Sequence, residues 1–94
     1  MKVRITETAF AELESIHAYI AKDNLTAARA VVARIEHVIA AIDEFPGIAR
    51  PVDATGIRVF PTPPFPFLVF YTAERGEIIT RNIRYAGRRR PREK

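Results

Sequence analysis

The chain has 94 residues, no cysteine and a formal net charge of +4, which points to one domain near the lower size limit of a single core and excludes disulfides and thiolate metal sites. Its hydrophobic share of 48% is ordinary for a globular protein. No apolar run approaches the ~20 residues that span a bilayer, and the start Met1-Lys2-Val3-Arg4-Ile5 lacks a signal-peptide core, so the expectation is a soluble cytoplasmic protein with no membrane segment.

The charge is unevenly placed. Residues 1–49 hold five basic and seven acidic side chains, whereas residues 50–94 hold ten basic and four acidic. A basic half beside a mildly acidic one fits an anionic partner such as nucleic acid, a phosphorylated ligand or an acidic protein segment; a solvated basic face that only confers solubility is the plainer alternative.

In chain order, Val3 and Ile5 alternate with Lys2 and Arg4 as a short strand, and Thr6 offers a side-chain oxygen suited to cap a helix. A helix is expected from Glu7, with Phe10, Leu13, Ile16 and Ile20 recurring on one face and Glu12 and Glu14 outside it. Lys22-Asp23-Asn24 ends this helix, and Asn24 can cap the next. The second helix carries a wide apolar stripe of Ala28, Val31, Val32, Ile35, Val38, Ile39 and Ile42, and stops after Phe45 because Pro46 disfavours helical backbone in its predecessor. The two helices form an antiparallel hairpin joined by a short turn.

After Pro51 the apolar period changes from near 3.6 to 2. A short strand opens at Gly56 and carries Ile57, Arg58 and Val59. Pro61-Thr62-Pro63-Pro64 reads as a connecting loop or an edge feature, since its prolines cannot donate to a ladder. The aromatic and β-branched run from Phe65 to Ala73 reads as a central strand, Glu74-Arg75-Gly76-Glu77 as a hairpin turn, and Ile78 to Tyr85 as the return strand. The order strand, helix, helix, strand, strand, strand defines an α+β domain over 1–94 in which a helical hairpin packs on an antiparallel sheet. Residues 88–94 form a basic tail, expected to be poorly ordered without a partner.

Candidate chemistry is sparse. Glu12 and Glu14 are two apart on a helix and point in different directions, so they are no acid–base pair. His17 and His37 belong to the helical layer, and two isolated histidines give no metal spacing. Four glycines supply no phosphate loop. No cofactor is expected, and no metal.

Seven stretches then fall in the order seen in one family: Ile5-Thr6 with Ala9 and Leu13, Tyr19-Ile20-Ala21, Asn24 with Ala27-Ala28, Pro46 to Arg50, Gly56-Ile57-Arg58, Pro66 to Tyr71, and Ile83-Arg84-Tyr85 with Arg88. Through them the chain resembles RelE/ParE-type toxins along almost its whole length. The resemblance implies the toxin of a type II toxin–antitoxin pair, often described as a plasmid stabilization protein. It also implies a ParD-like antitoxin whose C-terminal segment wraps helices and sheet in a hetero-oligomer. Two activities divide the family: ParE-like toxins bind DNA gyrase and trap it on broken DNA, whereas RelE-like toxins cleave mRNA in the ribosomal A site.

Cleavage through the RNA 2′-hydroxyl needs a base, cations around the phosphate and an acid for the leaving oxygen. Arg58, Arg81 and Arg84 are the candidate cations, with Tyr85 where many relatives carry histidine. A tyrosine titrates near 10 unless strongly perturbed. Tyr85 therefore has two readings, a catalytic group or an amphipathic side chain closing the sheet edge, and Arg58 has two, a functional cation or a structural strand arginine. Lysines, common near the site of the nucleases, are missing from Gly56 until Lys94. The balance favours a ParE-like toxin that acts by binding, without catalysis of its own, through Arg58, Arg81, Arg84, Tyr85 and Arg88. The alternatives are a ribosome-dependent endoribonuclease using Arg58, Arg81, Arg84 and Tyr85, and a non-toxic binding module. Ala49 replaces the glycine usual in the Pro-x-x-Gly-Arg motif, and the Pro61 to Pro66 loop is unusually rich in proline.

Overall fold

A computed structural model describes residues 2–51 and 54–86. Its elements are β1 (Lys2–Ile5), α1 (Glu7–Ala21), α2 (Leu25–Glu44), β2 (Arg50–Pro51), β3 (Arg58–Thr62), β4 (Phe65–Glu74) and β5 (Glu77–Tyr85). Both helices start where their capping residues dictate. Thr6 Oγ1 accepts the Ala9 N–H at 3.1 Å and Asn24 Oδ1 accepts the Ala27 N–H at 3.0 Å, each satisfying a donor that the first turn leaves unpaired.

One sheet runs in the order β1-β5-β4-β3-β2. Strands β2 to β5 are antiparallel neighbours, as expected, and β1 joins β5 in parallel, pairing Lys2 with Glu77 through Ile5 with Thr80. The helical hairpin carries the chain from β1 to β2 at the far edge of the sheet, and three antiparallel reversals then bring β5 beside β1 in the same direction, a long connection of the kind a parallel pair requires. The β4–β5 hairpin turns at Arg75 and Gly76, both at positive φ of 50° and 78°, the two-residue geometry whose twist matches the flanking strands.

Three sequence expectations are refined. β3 runs through Pro61, which pairs with Leu68, and the turn is confined to Pro63–Pro64. β2 reaches β3 only at Arg58 and Val59, so among the described residues Pro61 has no strand on its outer side, where a missing N–H costs least. β2 itself, two residues long, was not anticipated. On α1 the buried positions are Ala9 and Leu13, with Ile16 and Ile20 packed beside them, while Phe10 is 51% exposed. The core-facing stripe thus begins at Ala9, and Phe10 lies about 100° further round the helix.

The core lies between the helices and one sheet face. Val31, Ile35, Val38 and Ile42 of α2 meet Phe67, Val69 and Tyr71 of β4 and Ile78 and Ile83 of β5, each fully buried aliphatic stabilising by about 1.5–3 kcal/mol before entropy is counted. Two polar anchors fix the chain around this core. Arg34 Nε donates to the Pro63 carbonyl at 2.7 Å, tying α2 to the β3–β4 turn. The buried Tyr71 hydroxyl donates to the Pro46 carbonyl at 3.0 Å, holding the segment that follows α2.

Candidate functional site

The end of β5 is shaped by a bulge. Phe70 pairs with Asn82 and Tyr71 with Thr80, so Arg81 is an extra residue on β5, and side-chain alternation changes phase there. Ile78 and Thr80 face the helices before it; Ile83 and Tyr85, paired with Val69 and Phe67, face them after it. Ile79 pairs with Thr72 and Arg84 with Leu68, on the opposite face. Simple alternation would have put Ile79, Arg81, Ile83 and Tyr85 together, and the bulge separates them.

Tyr85 consequently leans against Phe67, with ring centroids 5.9 Å apart and planes at 65°. The two rings stand at the junction of two adjoining hollows along α1. One, of about 500 Å³, runs past Thr8, Ala11, Glu12 and Arg84; the other, of about 560 Å³, runs past Tyr19, Ile20, Pro66 and Phe65. Ser15, Ile16, Phe67 and Tyr85 line both. Together they form one groove, apolar over most of its length, with the Glu12–Arg84 pair at one end. At the other end Tyr19 is 68% exposed and carries Lys22 Nζ 5.5 Å above its ring.

The arginines singled out by sequence are held in different places. Arg81 donates through Nε to Thr72 Oγ1 at 3.0 Å and through a terminal nitrogen to Glu74 Oε2 at 3.1 Å. Hydrogen bonds from Thr72 and from Arg81 keep the Glu74 carboxyl below the usual carboxylate range. Arg84 Nε lies 3.2 Å from Glu12 Oε2. Arg58 donates to the Ala49 carbonyl, and its strand position opposite Tyr71 lies four residues along β4 from Phe67, the partner of Tyr85, a spacing of ~13 Å. Arg81 is therefore held on the sheet face away from the helices, whereas the Arg84 side chain reaches Glu12 of α1 and lines the same hollow as Tyr85; Arg58 is well apart from both Arg84 and Tyr85. Arg88 lies outside the described residues, as does the tail 88–94.

The charge pattern also resolves by location. The described residues carry ten Lys or Arg and nine Asp or Glu, whereas residues 87–94 carry five basic side chains and one acidic. Nearly all of the net charge therefore belongs to the last eight residues. His17 is half-buried and His37 exposed, both on helices, and no cluster able to hold a metal occurs among the described residues. No described helix is long and apolar enough to cross a membrane.

Sequence reasoning missed Glu12. Its carboxylate accepts the Ile83 backbone N–H at 2.8 Å, lies 3.4 Å from the Asn82 side-chain nitrogen and pairs with Arg84. Nothing in its helical phase signals this, because the contact spans seventy residues and depends on where β1 ends.

A groove of this kind on a helical hairpin packed against a sheet, with arginines at the end of the last strand, is the arrangement of a small toxin of the RelE/ParE type. The family model described as ParE toxin of type II toxin-antitoxin system, parDE, matches residues 3–90, and the chain belongs to that family. It is 36% identical over 80 residues to the "Putative toxin Y4kP" of Sinorhizobium fredii (strain NBRC 101917 / NGR234), covering 84% of this chain and 83% of that protein. Its fold is similar to a chain of the chromosomal ParDE TA system from P. aeruginosa, with a TM-score of 0.82, 22% identity, and coverage of 93% of this chain and 97% of that one.

Proposed function

We propose that this ParE-family toxin acts by binding rather than by catalysis, with DNA gyrase as its target in the cytoplasm, and that a ParD-like antitoxin neutralises it by laying an apolar segment into the α1 groove. The observation that carries the reading is the groove itself. It is long, open and apolar, bounded by Tyr19 at one end and Arg84 at the other, the form that accepts a polypeptide segment with regularly spaced anchors. The disposition of the arginines supports binding as well. Arg84 and Tyr85 line one hollow, but Arg81 and Arg84 are engaged by Glu74 and Glu12 and Arg58 lies further along the sheet, so the four candidates for RNA cleavage do not converge on one phosphate-sized space.

Purified toxin added to gyrase in a supercoiling assay should accumulate cleaved DNA, and co-purified antitoxin should abolish the effect. No response at micromolar toxin would remove gyrase as the target. Cleavage of mRNA in the A site of translating ribosomes would replace the reading with a nuclease. Unchanged growth on expression without antitoxin would leave a non-toxic binding module.

A further inference from the structure

Strand β5 changes neighbours along its outer edge. From Glu77 to Thr80 it pairs with β1. At Thr6 the chain leaves the sheet to begin α1, and among the described residues no strand flanks β5 from Arg81 to Tyr85 on that side. The open stretch is partly covered by Thr6 and Glu12. The Thr6 N–H donates to the Thr80 carbonyl at 3.0 Å, Thr6 Oγ1 donates to the Arg81 carbonyl at 3.2 Å, and Glu12 accepts the Ile83 N–H. A sheet edge carrying unpaired backbone groups is prone to pair with other chains unless covered.

We infer that Glu12 is a positioning residue for the partner-binding end of β5, with two separable effects. Its hydrogen bond to the Ile83 N–H fixes the backbone between the bulge and Tyr85, and so the way Tyr85 and Arg84 are presented at the groove. Its charge neutralises Arg84, so an acidic partner must compete with Glu12 for that guanidinium. The two effects oppose each other in binding. The first strengthens it by preorganisation, and the second weakens it by occupying the cation. The Arg84 side chain is 60% exposed and that of Glu12 26%, so the pair is accessible to an incoming carboxylate. This inference rests on the reading that the Arg84–Tyr85 end of the groove meets the antitoxin.

Two substitutions separate the effects. In Glu12→Gln the amide oxygen still accepts from Ile83 while the negative charge is gone; in Glu12→Ala both contacts are lost. With the proposed ParD-like antitoxin as probe, E12Q is expected to bind about threefold tighter, with a steeper loss of affinity as salt rises, as befits a freed, partly exposed cation. E12A is expected to bind about tenfold weaker. In hydrogen exchange on the free protein, the Ile83 amide should stay protected in E12Q and lose protection in E12A. A purely structural role would weaken binding in both variants, and that result, or protection of Ile83 unchanged in E12A, overturns the proposal. Arg84→Ala is the control on the underlying reading. Unchanged antitoxin affinity in R84A refutes contact at this end of the groove, whereas the exchange experiment fails only if the Glu12 clamp is wrong.

Discussion

The Tyr85 ring meets Phe67 edge-on at 5.9 Å, so the residue that carries the question of catalysis is also a wall of the groove. Its ring and its hydroxyl can be tested separately. Tyr85→Phe keeps the aromatic pair and should retain growth arrest and antitoxin binding. Tyr85→Ala should lose most of both and cost about 1 kcal/mol of stability, read from urea unfolding. Loss of toxicity in Tyr85→Phe with binding intact would instead give the hydroxyl a chemical role.

Arg58 and Arg84 should divide between structure and binding. The Arg58 guanidinium donates to the Ala49 carbonyl beside the Tyr71 anchor, and a hydrogen bond from a charged donor contributes about 1.5–3 kcal/mol. Arg58→Ala is therefore expected to lower the unfolding free energy by about 2 kcal/mol while the folded fraction binds antitoxin normally. Arg84→Ala removes a partly exposed ion pair, a change of under about 1 kcal/mol, and should weaken antitoxin binding instead. Equal stability losses in the two variants would contradict this division.

Helices were the most legible part of the chain because their signals are local. Thr6 and Asn24 cap where the sequence places them, and the α2 stripe is long enough to fix its buried face. Phe10 was misplaced because it shares spacing with Leu13 at the margin of a stripe centred on Ala9. What stayed hidden depends on distant partners. The parallel pairing of β1 with β5 joins strands more than seventy residues apart, β2 is too short to show a period, and the Arg81 bulge is a mismatch between two strands that neither reveals alone. The candidate residues on β5 were therefore singled out by type, while their faces, and the contacts of Glu12 with Ile83 and Arg84, needed the three-dimensional arrangement.

Thr62 and Thr80 provide a matched pair of buried hydroxyls, both fully inaccessible. Thr62 Oγ1 lies 3.3 Å from both the Phe65 and the Phe67 carbonyl, as their donor, whereas Thr80 Oγ1 has no hydrogen-bond partner among the described residues. Valine has nearly the shape of threonine without the polar atom. Thr62→Val should destabilise by about 1 kcal/mol, and Thr80→Val should stabilise by a similar amount because an unpaired buried hydroxyl is removed. Chemical denaturation reads both as midpoint shifts at constant slope, and shifts of the same sign would refute the contrast.

Tyr71 makes stability depend on pH in the alkaline range. Burial pushes its phenol up, against the opposing effects of the Ala49 backbone and the Arg58 charge. Above about pH 10 an unfolded tyrosine gives up its proton while the folded one keeps it, so the native state binds more protons than the unfolded state and stability falls as pH rises. The contribution is complete below the unfolded value and is lost as pH rises through the folded one. Tyr71→Phe should be less stable near neutrality, since the bond to the Pro46 carbonyl is gone, yet lose less on going to alkaline pH. Urea midpoints measured on both proteins across pH 8 to 11 should therefore converge, and parallel curves would show that the Tyr71 phenol does not contribute to the alkaline decline.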